Sequence, residues 1–458
     1  MEYNKVNNEG VVLYLPIKMA QITKIEAEQK VNEHASIEIQ GILDKREEME
    51  KVCSIGMQDR ILLKKNDTFL FSGILTYIDA EQEGDVVNIH IKGSSRSILL
   101  DDRKKKRSFQ KMGTYKEMME KVIGTRAMLV FRKGLENIEK KQLYVQYEET
   151  DWEFLKRMAS QIHAPICPDI TAEKTSLFIG IPDGENQKNE FSSYQIRKDI
   201  KEYLKFHEQN PSAADKQFIS ITTHSFADLK MGDIIIHEGY QMMVAEVKMK
   251  CTDSMVEYTY GFRNQKGIKQ RKKYNPYLSG ISINGTIIKV NRDHVKLHLE
   301  TDKSQLESEA LYFQVAVGYT AEGSTGVYIP MEEGEGVKLY FPTADEKDAY
   351  VRCVNKKDSN TSHHFEEPIV KSFGTSYGSS ISATKKGFLL SAAKDKIYIK
   401  MDENDGIEIH SSEKIEIWAG KKLNMKCRKL GMESQDKIIL KTASGNIIVD
   451  ETMHFKAD

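Results

Sequence analysis

Few residues of this 458-residue chain stand in spacings that chemistry could use. His363-His364-Phe365-Glu366-Glu367 gathers imidazoles and carboxylates, the groups that hold divalent metals. Adjacent side chains of an extended segment diverge, so the cluster reads as a solvated linker. His294 and His298 share a face if their segment is a strand, but four residues there span ~13 Å, too far for one ion. Arg103-Lys104-Lys105-Lys106-Arg107 is the densest basic run; it concentrates potential toward a negative partner, and more simply reads as a solvated loop. Trp152 and Trp418 could stack on a ligand, but the first falls in the opening turn of a helix and the second follows a strand repeat. Packing or an outward face accounts for both. No acid, base and nucleophile are arranged together, so no catalytic residue, metal ligand or cofactor is expected.

Composition narrows the classes further. Lys and Arg number 67 and Asp and Glu 68, so the net charge of -1 gives no global attraction for nucleic acid or an anionic membrane. The opening MEYNKVNNEG has no basic start and apolar core, and no run of about 18 apolar residues occurs, so synthesis in the cytoplasm without stable membrane insertion is expected. Cys53, Cys167, Cys251, Cys353 and Cys427 are far apart and never in C-x-x-C pairs, which argues against disulfides and zinc. All five are expected to be small buried or half-buried side chains.

The elements that must position everything else are mostly strands. Over residues 1–98 apolar and polar residues alternate: Ala35, Ile37 and Ile39 on one face, Ser36, Glu38 and Gln40 on the other, then Val87, Ile89 and Ile91 in the same manner. Lys65-Asn66-Asp67 joins two such strands as a turn. Over 99–210 the period changes, and two capping boxes open helices. Thr114 with Glu117 starts one that buries Tyr115, Met118, Met119 and Val122 and stops at Gly124. Thr150 with Glu153 starts one that buries Leu155, Met158, Ala159 and Ile162. A second β unit follows over 211–274, with strands near 233–237, 241–250 and 255–262. The polar run ending at Pro276 marks a linker, and 277–355 carries short strands at 285–290, 294–299, 312–317 and 336–341, right for a five-stranded barrel of the oligonucleotide/oligosaccharide-binding (OB) type. Residues 356–385 read as a linker.

The last segment, 386–458, has a repeat. Ile397, Ile407, Ile415, Leu423, Leu430, Ile438 and Ile447 open rungs spaced 10, 8, 8, 7, 8 and 9 residues apart. Most read apolar, polar, apolar, pairing Ile397 with Ile399, Ile407 with Ile409, Ile415 with Ile417, Leu423 with Met425, Ile438 with Leu440 and Ile447 with Val449. Eight residues make one short strand and a turn, too few for a single-chain β-helix to close a core. Three identical chains around one axis close it, with these side chains inside. The pattern predicts a homotrimer.

The stretch Gln146-Tyr147-Glu148-Glu149-Thr150-Asp151-Trp152-Glu153-Phe154-Leu155-Lys156-Arg157-Met158 resembles the Q-Y-x-E-[ST]-D-[WF]-x-F-[LI]-x-R-[LM] motif of the VgrG family and of phage late-control and hub proteins. Leu99-Leu100-Asp101-Asp102 with Arg107-Ser108-Phe109-Gln110, and Leu70-Phe71-Ser72-Gly73-Ile74, resemble two further stretches of that family. Pro330, Gly334, Val337, Leu339 and Phe341, followed by Asp345-Glu346-Lys347-Asp348-Ala349-Tyr350-Val351, resemble the end of its OB domain. Gly334-Glu335-Gly336 stands where the family has Gly-Asp-Glu.

The resemblance implies a mainly β fold: two hub β-barrels with a helical insertion, an OB-fold collar and a C-terminal triple-stranded, trimeric β-helix needle. It implies a structural spike and baseplate hub at the tip of a contractile injection machine, a phage-tail-like particle, tailocin or secretion system, assembled from cytoplasmic subunits and fired through a target envelope. The implied partners are two more copies of the chain, an inner tube protein, baseplate wedge proteins and a PAAR-like tip protein or effectors. Some spike tips of that family bind iron through a His-x-His pair. Here His454 stands alone, and no metal is expected. The alternatives are a phage-tail protein with lytic or receptor-binding activity, for which some thirty residues between barrel and needle leave no room, and a monomeric β-rich binding protein, which conflicts with the repeat.

Overall fold

Alternation becomes burial along the first strands. Ser36–Leu43 buries every second residue, as does Val86–Ser95, so each strand gives one apolar face to a core and the other to water. The structure, a computed structural model, describes the chain except residues 1, 7–9, 44–47, 57–58, 188–190, 192, 238, 252–254, 317–318, 322–324, 328–330, 355–368, 376 and 450–458. The His363–Glu367 cluster, Pro330 and His454 therefore lie outside the described residues, as do the side chains of Cys353, Ile447 and Val449. Two units are distinguished, Met1–Lys357 and Asp358–Asp458.

In the first unit the two hub β units share one sheet. Seven antiparallel strands from the first unit run in the order Glu2–Lys5, Val11–Leu15, Arg60–Lys65, Thr68–Glu83, Val86–Ser95, Ser36–Leu43 and Met19–Lys30. Met19–Lys30 then pairs with Tyr240–Cys251, which continues through Val256–Asn264 and Ile219–Ser225 to Tyr194–Lys198. Ile234–His237 flanks Tyr240–Cys251. An open sheet edge exposes unpaired N–H and C=O groups, and here the edge of each unit satisfies that of the other. Leu13, Ile25, Ile39 and Phe71 of the first unit and Val244, Tyr260 and Phe262 of the second are all 0% exposed in one shared core. Each contributes on the order of 2 kcal/mol through burial.

Local signals hold where they are short-range. Asn66 and Asp67 take φ of 46° and 64° in the turn between Arg60–Lys65 and Thr68–Glu83. Gly73 is required because a Cβ there would lie 2.4 Å from the Ser94 carbonyl oxygen. Both capping boxes form, at Tyr115–Ile123 and Asp151–Gln161, and Gly124 ends the first helix with φ 55°. The two helices pack with Phe109, Tyr144, Ile166 and Leu177 in a core of their own.

The collar is a closed five-stranded barrel. Ser282–Asn291 pairs with His294–Leu299 and Gly336–Tyr340; these pair in turn with Tyr312–Gln314 and Tyr350–Val354. A parallel bridge between Val315 and Val351 closes the ring, with the Ala316 N–H donating to the Val351 carbonyl at 2.7 Å. This is the connectivity of an OB barrel.

In the second unit five strands form an antiparallel meander: Lys371–Gly374, Ser380–Ala383, Gly387–Ala392, Ile397–Asp402 and Gly406–Ser411. It begins inside the stretch read as linker. Ile438–Thr442 and Gly445–Val449 form a separate hairpin. The rungs expected at Ile415, Leu423 and Leu430 are not strands; among residues 412–437 none is assigned. Strands of three or four residues are too short to hold a ladder without neighbours. The cysteine expectation also needs correcting. Cys167 and Cys251 are buried, but Cys53 and Cys427 are exposed free thiols, the first on the short helix Glu48–Ser54 and the second in the strandless stretch.

Candidate functional site

The segment Gln146–Arg157 lies where hub, insertion and collar meet. Strand Tyr144–Glu149 runs into helix Asp151–Gln161 through Thr150, the N-cap, and the strand bulges at Glu148, whose φ is 51°. The bulge brings Glu149 and Asp151 both inward, leaving Glu148 half-buried beside Lys106 at 2.8 Å.

Asp151 is fully buried and carries a negative charge in the helix's first turn. Its carboxylate accepts from Lys105 Nζ at 2.5 Å, Arg107 Nη2 at 2.6 Å, Arg126 Nη1 at 2.6 Å and Gln146 Nε2 at 3.1 Å. Gln146 in turn accepts from Arg107 Nε at 2.6 Å and donates to the Glu149 carbonyl at 3.0 Å. Two residues of the basic run are thus not in a solvated loop. Lys105 and Arg107 lie on strand Lys105–Phe109, paired with Tyr144–Glu149, and surround a carboxylate that no water reaches. An isolated buried charge costs several kcal/mol, which accounts for the concentration of cations. Burial lowers the Arg107 pKa from its ordinary value, against the pull of Asp151.

A second buried group faces the collar. Arg157 donates to both Glu149 oxygens at 2.8 Å, to Glu346 Oε1 at 2.7 Å and to the Val145 carbonyl at 2.7 Å. Glu346, 2% exposed, also accepts the Val145 N–H at 3.3 Å. Burial works against the guanidinium, yet Glu346 and Glu149 raise its pKa overall, so it stays charged. Glu346 belongs to the 345–351 stretch of the collar, 189 positions further along. The pair ties helix to barrel.

Further bonds cross the same junction. Ser108 donates its N–H to Asp302 Oδ1 at 2.7 Å and its hydroxyl to Asp302 Oδ2. Gln110 donates to the Leu297 carbonyl at 3.0 Å and accepts from the Leu311 N–H at 3.1 Å. Asn275 donates to the Tyr147 carbonyl at 2.7 Å. Leu143 and Val145 are buried in the core of the barrel itself, among Leu297, Leu339 and Phe341. Beside them Lys140 is 2% exposed, surrounded by the carbonyls of Phe109, Gln110 and Gln142 with no carboxylate in contact, and burial pushes its pKa down to about 8.

The structure brings Gln146, Asp151 and Arg157 into these networks. It places Phe154 and Leu155 in the insertion core, and Trp152 against the ring of His34 at 4.1 Å. Tyr147 is half-buried under Lys106. Nothing in the local sequence marks Arg126 or Asp302 for a role, and Glu346 is marked only by the resemblance of its stretch to the end of an OB domain. His294 and His298 bond to Asp293 and to the Asp302 carbonyl respectively. Among the described residues no group of three His, Cys, Asp or Glu side chains is placed to hold a metal, and no helix is long and apolar enough to cross a membrane. The junction is a fastening, with its polar groups directed at one another.

The needle residues behave in the opposite way. On the meander Phe373, Ile381, Leu390, Ile399 and Ile409 stand opposite one another strand by strand in one row. Their exposures run from 38% to 56%. Phe388, Met401 and Ile407 form a parallel row, and Ile397 lies on the same face. The other face carries Tyr398, Lys400, Glu408 and His410. Ile415, Ile417, Leu423, Met425 and Leu440 are likewise exposed, Ile438 is half-buried, and Trp418 is 89% exposed.

The first unit is thus a twelve-stranded hub sheet with a helical insertion, fastened to an OB barrel, and the second is a β meander with a separate hairpin. No family model matches the chain, and no curated protein does. Among solved structures it is similar to the E. coli c3393 protein, a component of the type VI secretion system with structural similarity to the phage T4 tail proteins gp27 and gp5. That match has 13% identity, a TM-score of 0.53, and covers 75% of this chain and 99% of the other. The chain is also similar to one in the lidless PdpA–VgrG complex, with 11% identity, a TM-score of 0.55, and coverage of 85% and 93%. The half-lidded form of that complex matches at 10% identity and the same TM-score. The fold is that of VgrG-type and phage-tail hub proteins.

Proposed function

We propose that this chain is the structural hub and spike of a contractile injection machine, acting mechanically and not as an enzyme. The observation that carries the reading is the sheet of the second unit, apolar on one face and polar on the other, with the apolar face uncovered in a single chain. Contiguous exposed apolar surface of this kind belongs to an interface. Two further copies around a threefold axis supply the cover, with Ile397, Ile399, Ile407, Ile409, Ile415, Ile417, Leu423, Met425, Ile438, Leu440, Ile447 and Val449 turned to the centre. The hub then caps an inner tube within a baseplate of wedge proteins, and the needle carries a PAAR-like tip protein or effectors. Assembly takes place in the cytoplasm and firing delivers the spike outside the cell. The domain plan that goes with this reading is a first hub unit over 1–98, an insertion over 99–210, a second hub unit over 211–274, a collar over 277–355, a linker over 356–385 and a needle over 386–458.

Mass in solution by light scattering tests it. The expected result is three times the 52.4 kDa of one chain, resistant to dilution. A monomer at micromolar concentration would overturn the spike and leave a β-rich binding protein.

A further inference from the structure

A cavity of about 800 Å³ opens in the hub, bounded by segments of both β units and of the insertion. Its floor is apolar: Leu70, Ile170, Phe178 and Val247 are half-buried there, beside buried Met231 and Met249. Seven carboxylates line it, against the single lysine Lys230. Four of the seven are occupied. Glu28 pairs with Lys248 at 3.3 Å, Asp183 with Arg132 at 3.1 Å, Asp233 accepts the N–H groups of Glu185 and Lys230, and Asp169 accepts the N–H and hydroxyl of Thr171 at 2.9 and 2.7 Å. Asp67, Glu185 and Asp228 form no ion pair among the described residues.

Acidic residues alone would be an ordinary solvated surface. Here they line an apolar cavity whose volume is typical of ligand sites, roughly 300–1,000 Å³. Half-buried aromatic and aliphatic groups at its floor favour an apolar occupant, and unpaired carboxylates in its lining favour a cationic one. Asp67, Glu185 and Asp228 come from separate segments of the chain, an arrangement that suits cations spaced along an extended peptide.

We propose that this cavity binds an extended peptide segment of a partner protein, with one large apolar side chain on the floor and flanking Lys or Arg side chains at Asp67, Glu185 and Asp228. Every lining residue belongs to the hub of one chain. The inference therefore goes beyond the spike reading and does not need the needle to assemble.

The test uses the full chain and a fluorescein-labelled eight-residue peptide alternating lysine and leucine, followed by anisotropy. Saturable binding at one site per chain is expected, with octalysine roughly tenfold weaker because it has no apolar group for the floor. Glu185→Gln with Asp228→Asn, both at exposed positions, should weaken binding about tenfold and flatten its salt dependence. Asp67→Asn, compatible with the positive φ of that turn, is an independent variant with the same expected direction. Equal affinity for octalysine would reduce the cavity to diffuse charge attraction, and unchanged affinity in all variants would place binding elsewhere. Displacement of the peptide by equimolar spermidine would assign the cavity to a small polyamine. Each of these results overturns the proposal.

Discussion

The junction around Arg157 and the face around Ile399 are built from opposite materials and solve opposite problems. At the junction, charges are buried and matched: one carboxylate with three cations, one guanidinium with two carboxylates. On the needle sheet, isoleucines are in the open. Burial without partners is costly for a charge and exposure is costly for an apolar row, so the first arrangement is complete within one chain and the second is not. The proposed spike role calls for both: a collar locked to the hub, and a needle that closes only when copies meet.

The comparison breaks most visibly at the needle. Ile399→Glu with Ile409→Glu places two charges on each chain's apolar face, six at the axis of a trimer, and should convert trimer to monomer completely in light scattering. Both positions are already exposed in a single chain, at 39% and 56%, so the melting of the hub should not shift. Trimers that survive this change would show that some other surface assembles the protein.

Next in size is the junction. Arg157→Met removes the cation and leaves Glu149 and Glu346 buried together, which should cost about 3–5 kcal/mol in urea unfolding of the hub and collar. Adding Glu149→Gln and Glu346→Gln should recover most of that loss, because the penalty lies in the uncompensated charges and not in the missing bonds. A loss under about 1 kcal/mol in the single variant would mean that the network is already open to water.

Lys140 sharpens the same point through pH. Its folded pKa, about 8, lies below the ordinary 10.5, so between those values the unfolded chain binds a proton that the folded chain does not. Stability from this group therefore rises as pH climbs from about 8 to 10.5, by as much as roughly 3 kcal/mol. Lys140→Met removes the dependence. The free-energy difference between wild type and variant, measured at pH 7 and pH 10.5, should move by that amount in favour of wild type. A constant difference would mean that Lys140 meets water in solution.

Legibility divides along the same line. The Asn66-Asp67 turn, the two capping boxes, the alternating strands and the apolar rows near Ile399 are written within a few residues of one another, so their periods and spacings carry them. The junction is not local. Arg107 meets Asp151 across 44 positions and Arg157 meets Glu346 across 189. A basic run seen alone looks solvated, because nothing adjacent in the chain says that a buried carboxylate will arrive beside it. The joining of Met19–Lys30 to Tyr240–Cys251 is equally remote, and two units that each alternate correctly give no sign that their edges will merge. At the far end, Ile415, Leu423 and Leu430 keep the period, yet no strand forms over residues 412–437, because periodicity alone supplies no pairing partner.

The smallest expected effect compares two copies of one local device. Thr114 and Thr150 both cap helices through the same box, the first accepting from the Glu117 N–H at 3.2 Å and the second from the Glu153 N–H at 3.1 Å. Replacing either by Ala should cost about 1 kcal/mol from the cap alone. Thr150 also donates its hydroxyl to Asp101 and is 8% exposed, while Thr114 is half-buried and its box is open to water. Thr150→Ala leaves Asp101 without that donor, so its cost should exceed that of Thr114→Ala by on the order of 1 kcal/mol in urea unfolding. Equal costs would show that Asp101 finds water instead, and that the rigid part of the junction stops at Asp151 and does not extend to the cap.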